Sequence, residues 1–178
     1  IAHPPCTFLA VSGARWYYHP DDSHLPIDKR RPHPKFPNRR KQQKDAITFV
    51  EKLLSADIDK IAIENPIGVL STSSLGKPTQ IIQPWWFGDN ATKTTCYWTK
   101  GLPLLKKIPK VIEAENKEKL IDKGDVITLS SGKKMQKWYA EALAKAKSPE
   151  ERRTLRSKTF PGMAKEIAKQ WTNTETHD

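Results

Sequence analysis

Ala46, Ile47, Val50, Leu53 and Leu54 fall on one helical stripe, which predicts an amphipathic helix over 39–55 with Asn38 as its N-cap. Residues 58–63 follow as an apolar-rich run of strand length, the pattern of a strand buried on both faces. Upstream, Ile1-Ala2 reads as the end of a strand leading into His3-Pro4-Pro5-Cys6. Strand, long loop, helix and strand in that order form one crossover unit of a parallel sheet. Open α/β folds place their sites at the C-terminal ends of such strands, where both Cys6 and Glu64 stand.

Further along, short strands are expected at 79–83 and at 92–99, the second denser in β-branched and aromatic residues. An aromatic turn, 84–90, lies between them. Residues 105–125 are charged and aperiodic and predict no firm element. Helical patterns return at 137–146 and at 162–171, where Met163, Ile167 and Trp171 recur every fourth residue. Ser148-Pro149-Glu150-Glu151 is a helix start with proline in the first turn. The expected organisation is a catalytic part over 1–109, a charged linker with helices packing back on the core over 110–171, and a frayed tail over 172–178.

Composition changes this picture in one respect. The 178 residues hold 31 Lys+Arg against 20 Asp+Glu, a net charge of +11, with only 37% hydrophobic residues and a mean hydropathy of −0.69. Such a balance suits a polyanionic partner, nucleic acid before an anionic membrane surface. The charge is concentrated: 29–44 carries Lys29, Arg30, Arg31, Lys35, Arg39, Arg40, Lys41 and Lys44 with no acidic residue. It overlaps a proline-rich loop, 16–37, of a length that is usually functional or disordered. A solvated face is the ordinary meaning of a charge run. Its place between two candidate catalytic elements favours phosphate contact instead, with Arg15, Arg30, Arg31, Lys35, Arg39 and Arg40 as the DNA-binding candidates. Trp16, Tyr17 and Tyr18 either stack on bases or belong to the core.

Cys6 and Cys96 are too few for a disulfide scaffold and have no metal-ligand spacing, which points to a reducing, cytoplasmic setting. No apolar run approaches the roughly 18 residues of a membrane span.

The chemistry rests on His3-Pro4-Pro5-Cys6 and Ile61-Ala62-Ile63-Glu64-Asn65-Pro66. A nucleophilic cysteine needs a rigid, exposed position, and two prolines restrict the backbone before it. A carboxylate at the end of a buried strand is costly unless it is used or satisfied. Taken singly, Cys6 reads equally as a small buried hydrophobe and Glu64-Asn65-Pro66 as an ordinary turn. Together they fit attack on a pyrimidine ring: Cys6 adds to C6 while Glu64 hydrogen-bonds N3.

On these two motifs the chain resembles the DNA cytosine-5 methyltransferases, in particular their compact phage and prophage forms. The similarity extends to Phe87-Gly88-Asp89-Asn90-Ala91-Thr92-Lys93-Thr94-Thr95, where an aromatic-glycine turn precedes a strand. In the family that strand carries a glutamine and two arginines at alternate positions. Here Ala91, Lys93 and Thr95 stand there, so only Lys93 keeps the charge. Ser130–Lys134, Trp138-Tyr139 and 156–164 look like the C-terminal part of phage-type relatives. The resemblance implies a Rossmann-like methyltransferase sheet with C-terminal helices. It implies methyl transfer from S-adenosylmethionine to C5 of a cytosine flipped out of double-stranded DNA. Cys6, Glu64, Asn65 and Lys93 would be catalytic, and Pro4, Pro5, Phe160 and Gly162 would lie on the cofactor. The glycine turn and acidic strand end that hold the cofactor in the family are not found, so the sheet is expected to be incomplete at its N-terminus and the chain a fragment inactive alone. Two rivals remain: a non-catalytic DNA-binding protein on the same scaffold, and an amino-group methyltransferase, which would need an aromatic where Cys6 stands.

Overall fold

The computed structural model describes residues 1–157 and 159–172. Lys158 in the 156–164 motif and 173–178 of the expected tail lie outside the described residues. The chain is mixed α/β and divides into two compact units: Ile1–Ile81 with Thr94–Leu102, and Ile82–Lys93 with the chain from Pro103 onward.

The first unit contains the helix read from the apolar stripe, α1 (Arg39–Leu54), and the strand after it, β1 (Ile61–Asn65). Asn38 occupies the N-cap position, although its side chain caps nothing. A second strand, β2 (Gln80–Ile82), ends where the first unit gives way to the second, and β3 (Thr95–Lys100) completes a sheet of order β1-β3-β2. β1 and β3 are antiparallel, with Ile63 opposite Trp98, Glu64 opposite Tyr97 and Asn65 opposite Cys96. Strand alternation sends Ile61, Ile63 and Asn65 to one face and Ala62 and Glu64 to the other. On the first face Ile61, Ile63, Cys96 and Trp98 pack with Leu9, Val50 and Leu70, and the α1 stripe of Ala46, Ile47, Leu53 and Leu54 closes over them. The strand expected at Ile1-Ala2 is a single isolated bridge: Ala2 pairs parallel with Ile63, its N–H donating to Ala62 O at 2.8 Å and its carbonyl accepting from Glu64 N at 2.9 Å.

The second unit contains α2 (Pro109–Asn116), a two-stranded hairpin of β4 (Val126–Thr128) and β5 (Lys134–Gln136), α3 (Lys137–Lys145), α4 (Pro149–Ser157) and α5 (Pro161–Thr172). The Asp89 carboxylate accepts from Gly162 N at 3.0 Å and Met163 N at 2.7 Å, satisfying donors that a helix leaves open at its first turn. At the other end Trp171 Nε1 donates to Pro103 O, and Gln170 bonds both N and O of Lys106. These ties place the 84–90 turn and 103–109 in the same unit as the C-terminal helices. No helix among the described residues is long and apolar enough to cross a membrane.

Candidate active site

Four bonds join the two motifs. Beyond the two backbone bonds of Ala2, His3 Nδ1 donates to Glu64 Oε2 at 2.9 Å, and Asn65 Nδ2 donates to Pro4 O at 3.0 Å. The parallel bridge sets His3 alongside Glu64, and the next residues of each segment meet through the asparagine. Asn65 is 1% exposed, and its Oδ1 is buried without a hydrogen-bond partner. It therefore holds the Pro4-Pro5-Cys6 backbone and does not meet solvent. Cys6 is a free, exposed thiol at the start of a 3-10 turn, Cys6–Phe8, whose carbonyl accepts from Leu9 N and Ala10 N.

Residues beyond each motif also pair. Val69 N donates to Leu9 O at 2.9 Å and Val11 N to Ile67 O at 3.2 Å, with Gly68 and Ala10 bridged antiparallel. α1 secures the turn from another side: Arg39 donates to Thr7 O at 2.9 Å, while Gln43 and the Tyr17 hydroxyl both donate to Phe8 O. Burial raises the Tyr17 hydroxyl above its ordinary range, offset in part by the Arg39 charge.

Electrostatically the site is a carboxylate set against a sheet. Glu64 has a side chain 20% exposed, and its negative charge is felt across the strand pair. The Tyr97 hydroxyl and the Cys96 thiol both lie above their usual ranges, first through burial and then through the Glu64 charge. Cys96 is a buried core thiol, so the two cysteines have separate roles.

The other sequence candidates lie differently. β3 begins at Thr95, so Ala91 and Lys93 precede the strand and the expected alternation over 91–95 does not form. Lys93 belongs to the second unit, where its backbone N–H donates to Gln83 Oε1. Among the cofactor candidates, Pro4 O is taken by Asn65, and Pro5 is exposed. Phe160 packs edge-to-face on Trp138 at 5.1 Å. Gly162 is needed for close approach: a Cβ there would lie 2.6 Å from Phe87 O and 2.8 Å from the Asp89 carboxylate. Pro4, Phe160 and Gly162 are each committed to packing or hydrogen bonding within their own unit, while Pro5 is not.

The basic loop is folded around its own charges. Asp22, 3% exposed, accepts from Arg31 N, Nε and Nη2 at 2.8, 3.0 and 2.6 Å. These bonds hold its carboxyl well below the usual carboxylate range. Arg30 donates to Leu25 O and Ser23 O. Arg39 stacks on Phe8, Tyr17 and Phe36, and Trp16 forms a cluster with His33 and Phe36. Arg31, Arg30 and Arg39 are thus fasteners. Arg15, Lys35 and Arg40 are exposed, each over an aromatic ring. A depressed carboxyl stabilises the fold fully above its unfolded pKa of about 4 and loses that contribution as pH falls toward the folded value. The stability gap between the native chain and Asp22→Asn, read by urea unfolding at a series of pH values, is therefore expected to narrow steadily below about pH 5.

No protein-family model, curated protein or solved structure matches this chain. His3 was not among the sequence candidates; its signal was its place one residue beyond a strand end that runs beside the strand bearing Glu64.

Proposed function

We propose that this chain carries the thiol-addition chemistry of a DNA cytosine-5 methyltransferase, with Cys6 as nucleophile and Glu64 as the partner of ring N3. One observation carries the reading: the His3-Pro4-Pro5-Cys6 segment is fastened to Glu64-Asn65 by backbone pairing and two side-chain bonds, leaving Cys6 exposed just beyond the clamp. A Rossmann-like methyltransferase sheet draws support from the parallel bridge between Ala2 and Ile63, the helix α1 between those segments, and the antiparallel β3 beside β1.

The chemistry closes on this chain's own groups. Attack of the Cys6 thiolate forms the S–C6 bond and moves the C5–C6 π electrons into the ring. A proton from Glu64 reaches N3, which leaves C5 as the nucleophilic carbon of an enamine. In water that carbon takes up a solvent proton. Water then takes the original C5 hydrogen as a proton, N3 returns its proton to Glu64, and breaking of the S–C6 bond re-forms the C5–C6 double bond and releases the thiolate and cytosine. In the methyltransferases S-adenosylmethionine supplies the methyl group, and no step here depends on it. Duplex DNA is the proposed partner, through Arg15, Lys35 and Arg40, with an affinity that falls steeply with salt.

The test is hydrogen exchange at C5, which needs no methyl donor. Duplex DNA incubated with the chain in D2O is expected to gain deuterium at cytosine C5. Cys6→Ser should reduce that gain to background while keeping DNA affinity within a few-fold. Exchange that persists in Cys6→Ser overturns the role of Cys6. Salt-sensitive binding with no exchange in the native chain would leave the non-catalytic DNA-binding alternative.

A further inference from the structure

We propose that His3 is a positioning and proton-relay residue, passing protons between solvent and Glu64; the proposal rests on the cytosine-addition reading above. The motif that supplies the nucleophile also supplies, three residues earlier, the partner of the acid. His3 Nδ1 lies 2.9 Å from Glu64 Oε2, with its side chain 54% exposed against 20% for Glu64. The parallel bridge of Ala2 with Ile63 fixes this pairing from the backbone, so it does not depend on a long, free side chain. The imidazole is therefore joined to the carboxylate at one nitrogen and half open to water.

Of the described titratable groups near Glu64, His3 is hydrogen-bonded to its carboxylate and open to water. From β3 the titratable neighbours that sense its charge are Tyr97 and Cys96, both buried and both with protons held more tightly than usual. On the N-terminal segment the titratable groups are His3 and the exposed Cys6, which the reaction employs as nucleophile. α1 packs through Ala46, Ile47, Val50, Leu53 and Leu54, none of which titrates. A half-buried acid that must give a proton to N3 and recover it needs a shuttle, and imidazole titrates in the range where this chemistry runs.

The proton count balances. As Glu64 gives its proton to N3, the Nδ1 proton of His3 passes to Oε2 and Nε2 takes one from water. During elimination the same path runs backwards: N3 returns a proton to Glu64, Oε2 returns one to Nδ1, and Nε2 releases one to solvent. No oxidant, reductant or further reactant enters.

Two readouts test this, one of them independent of any activity. In the native chain the His3 Nδ1 proton, followed by NMR, is expected to be held in a hydrogen bond and to exchange with water more slowly than in Glu64→Ala. Equal exchange in the two chains overturns the pairing. The second readout is the pH profile of C5 deuterium exchange in mixed-sequence duplex DNA. His3→Asn keeps a hydrogen-bonding amide near the Nδ1 position but cannot titrate. Its exchange is expected to fall about tenfold at neutral pH, to lose the inflection that the imidazole gives the native profile, and to recover on addition of free imidazole. An unchanged pH profile, or a rate loss that imidazole does not restore, overturns the relay. Absence of exchange in the native chain overturns the reaction reading and the relay with it, while the Nδ1 proton signal still decides whether the pair forms.

Discussion

Glu64→Gln is expected to slow C5 hydrogen exchange about a thousandfold, the scale of a lost general acid, while DNA affinity and unfolding midpoint stay close to native. The substitution preserves shape: the glutamine carbonyl can still accept from His3 Nδ1, the contact the carboxylate makes at 2.9 Å. Its amide can even point a hydrogen bond at N3, yet it has no proton to transfer. The effect therefore isolates proton donation from positioning. Stability should change little, because the side chain is only partly buried and keeps its partner. A companion signal checks that the charge itself has gone: the Tyr97 hydroxyl, raised by burial and by Glu64, should ionise at lower pH in the variant. Exchange within a few-fold of native would remove Glu64 from the chemistry, and the clamp between the motifs would then be purely structural.

The sequence pattern carried the elements of the clamp and missed part of what fastens it. The α1 stripe was legible because five apolar residues share one face, and they do pack with Ile63 and Trp98. β1 was legible as an apolar run, although it begins at Ile61, after a turn in which Ile58 N bonds Ala56 O and Ile58 stays exposed. Pro109 opens α2, a proline position at a helix start that the surrounding charge obscured. The β4–β5 hairpin escaped because each strand has three residues, too few for alternation to show; its signal was Gly132, which turns the chain at φ +77°. The site followed the same rule. Cys6, Glu64 and Asn65 announce themselves by residue type, whereas His3 matters through a parallel bridge that no local spacing encodes. Charge alone did not show what Arg30, Arg31 and Arg39 do within the fold: buried Asp22 and the carbonyls of Ser23, Leu25 and Thr7 hold these three.

Gly68→Ala is expected to destabilise the first unit by about 3 kcal/mol and to abolish exchange at the same time. The reason is steric, since Gly68 is extended at φ −179°, a conformation open to any residue. A Cβ there would stand 1.9 Å from Leu9 O and 2.7 Å from Leu9 C, backbone atoms that cannot swing aside as a side chain would. To make room, the 67–69 segment must part from 9–11, which breaks the Val69 N–Leu9 O and Val11 N–Ile67 O bonds and loosens Leu9 and Leu70, both buried in the same core. The turn that bears Cys6 ends at Phe8, next to that contact, so displacement there moves the thiol relative to Glu64. Urea unfolding gives the measurement, with a lower midpoint at unchanged slope as the expected result. Gly132→Ala is the control: it has positive φ but nothing within 4 Å of its Cβ, so it should cost only about 1 kcal/mol and leave exchange native. If Gly68→Ala proved no more costly than Gly132→Ala, the two motif segments would not be paired in solution, and the clamp that brings Cys6 and Glu64 to one site would have to be abandoned.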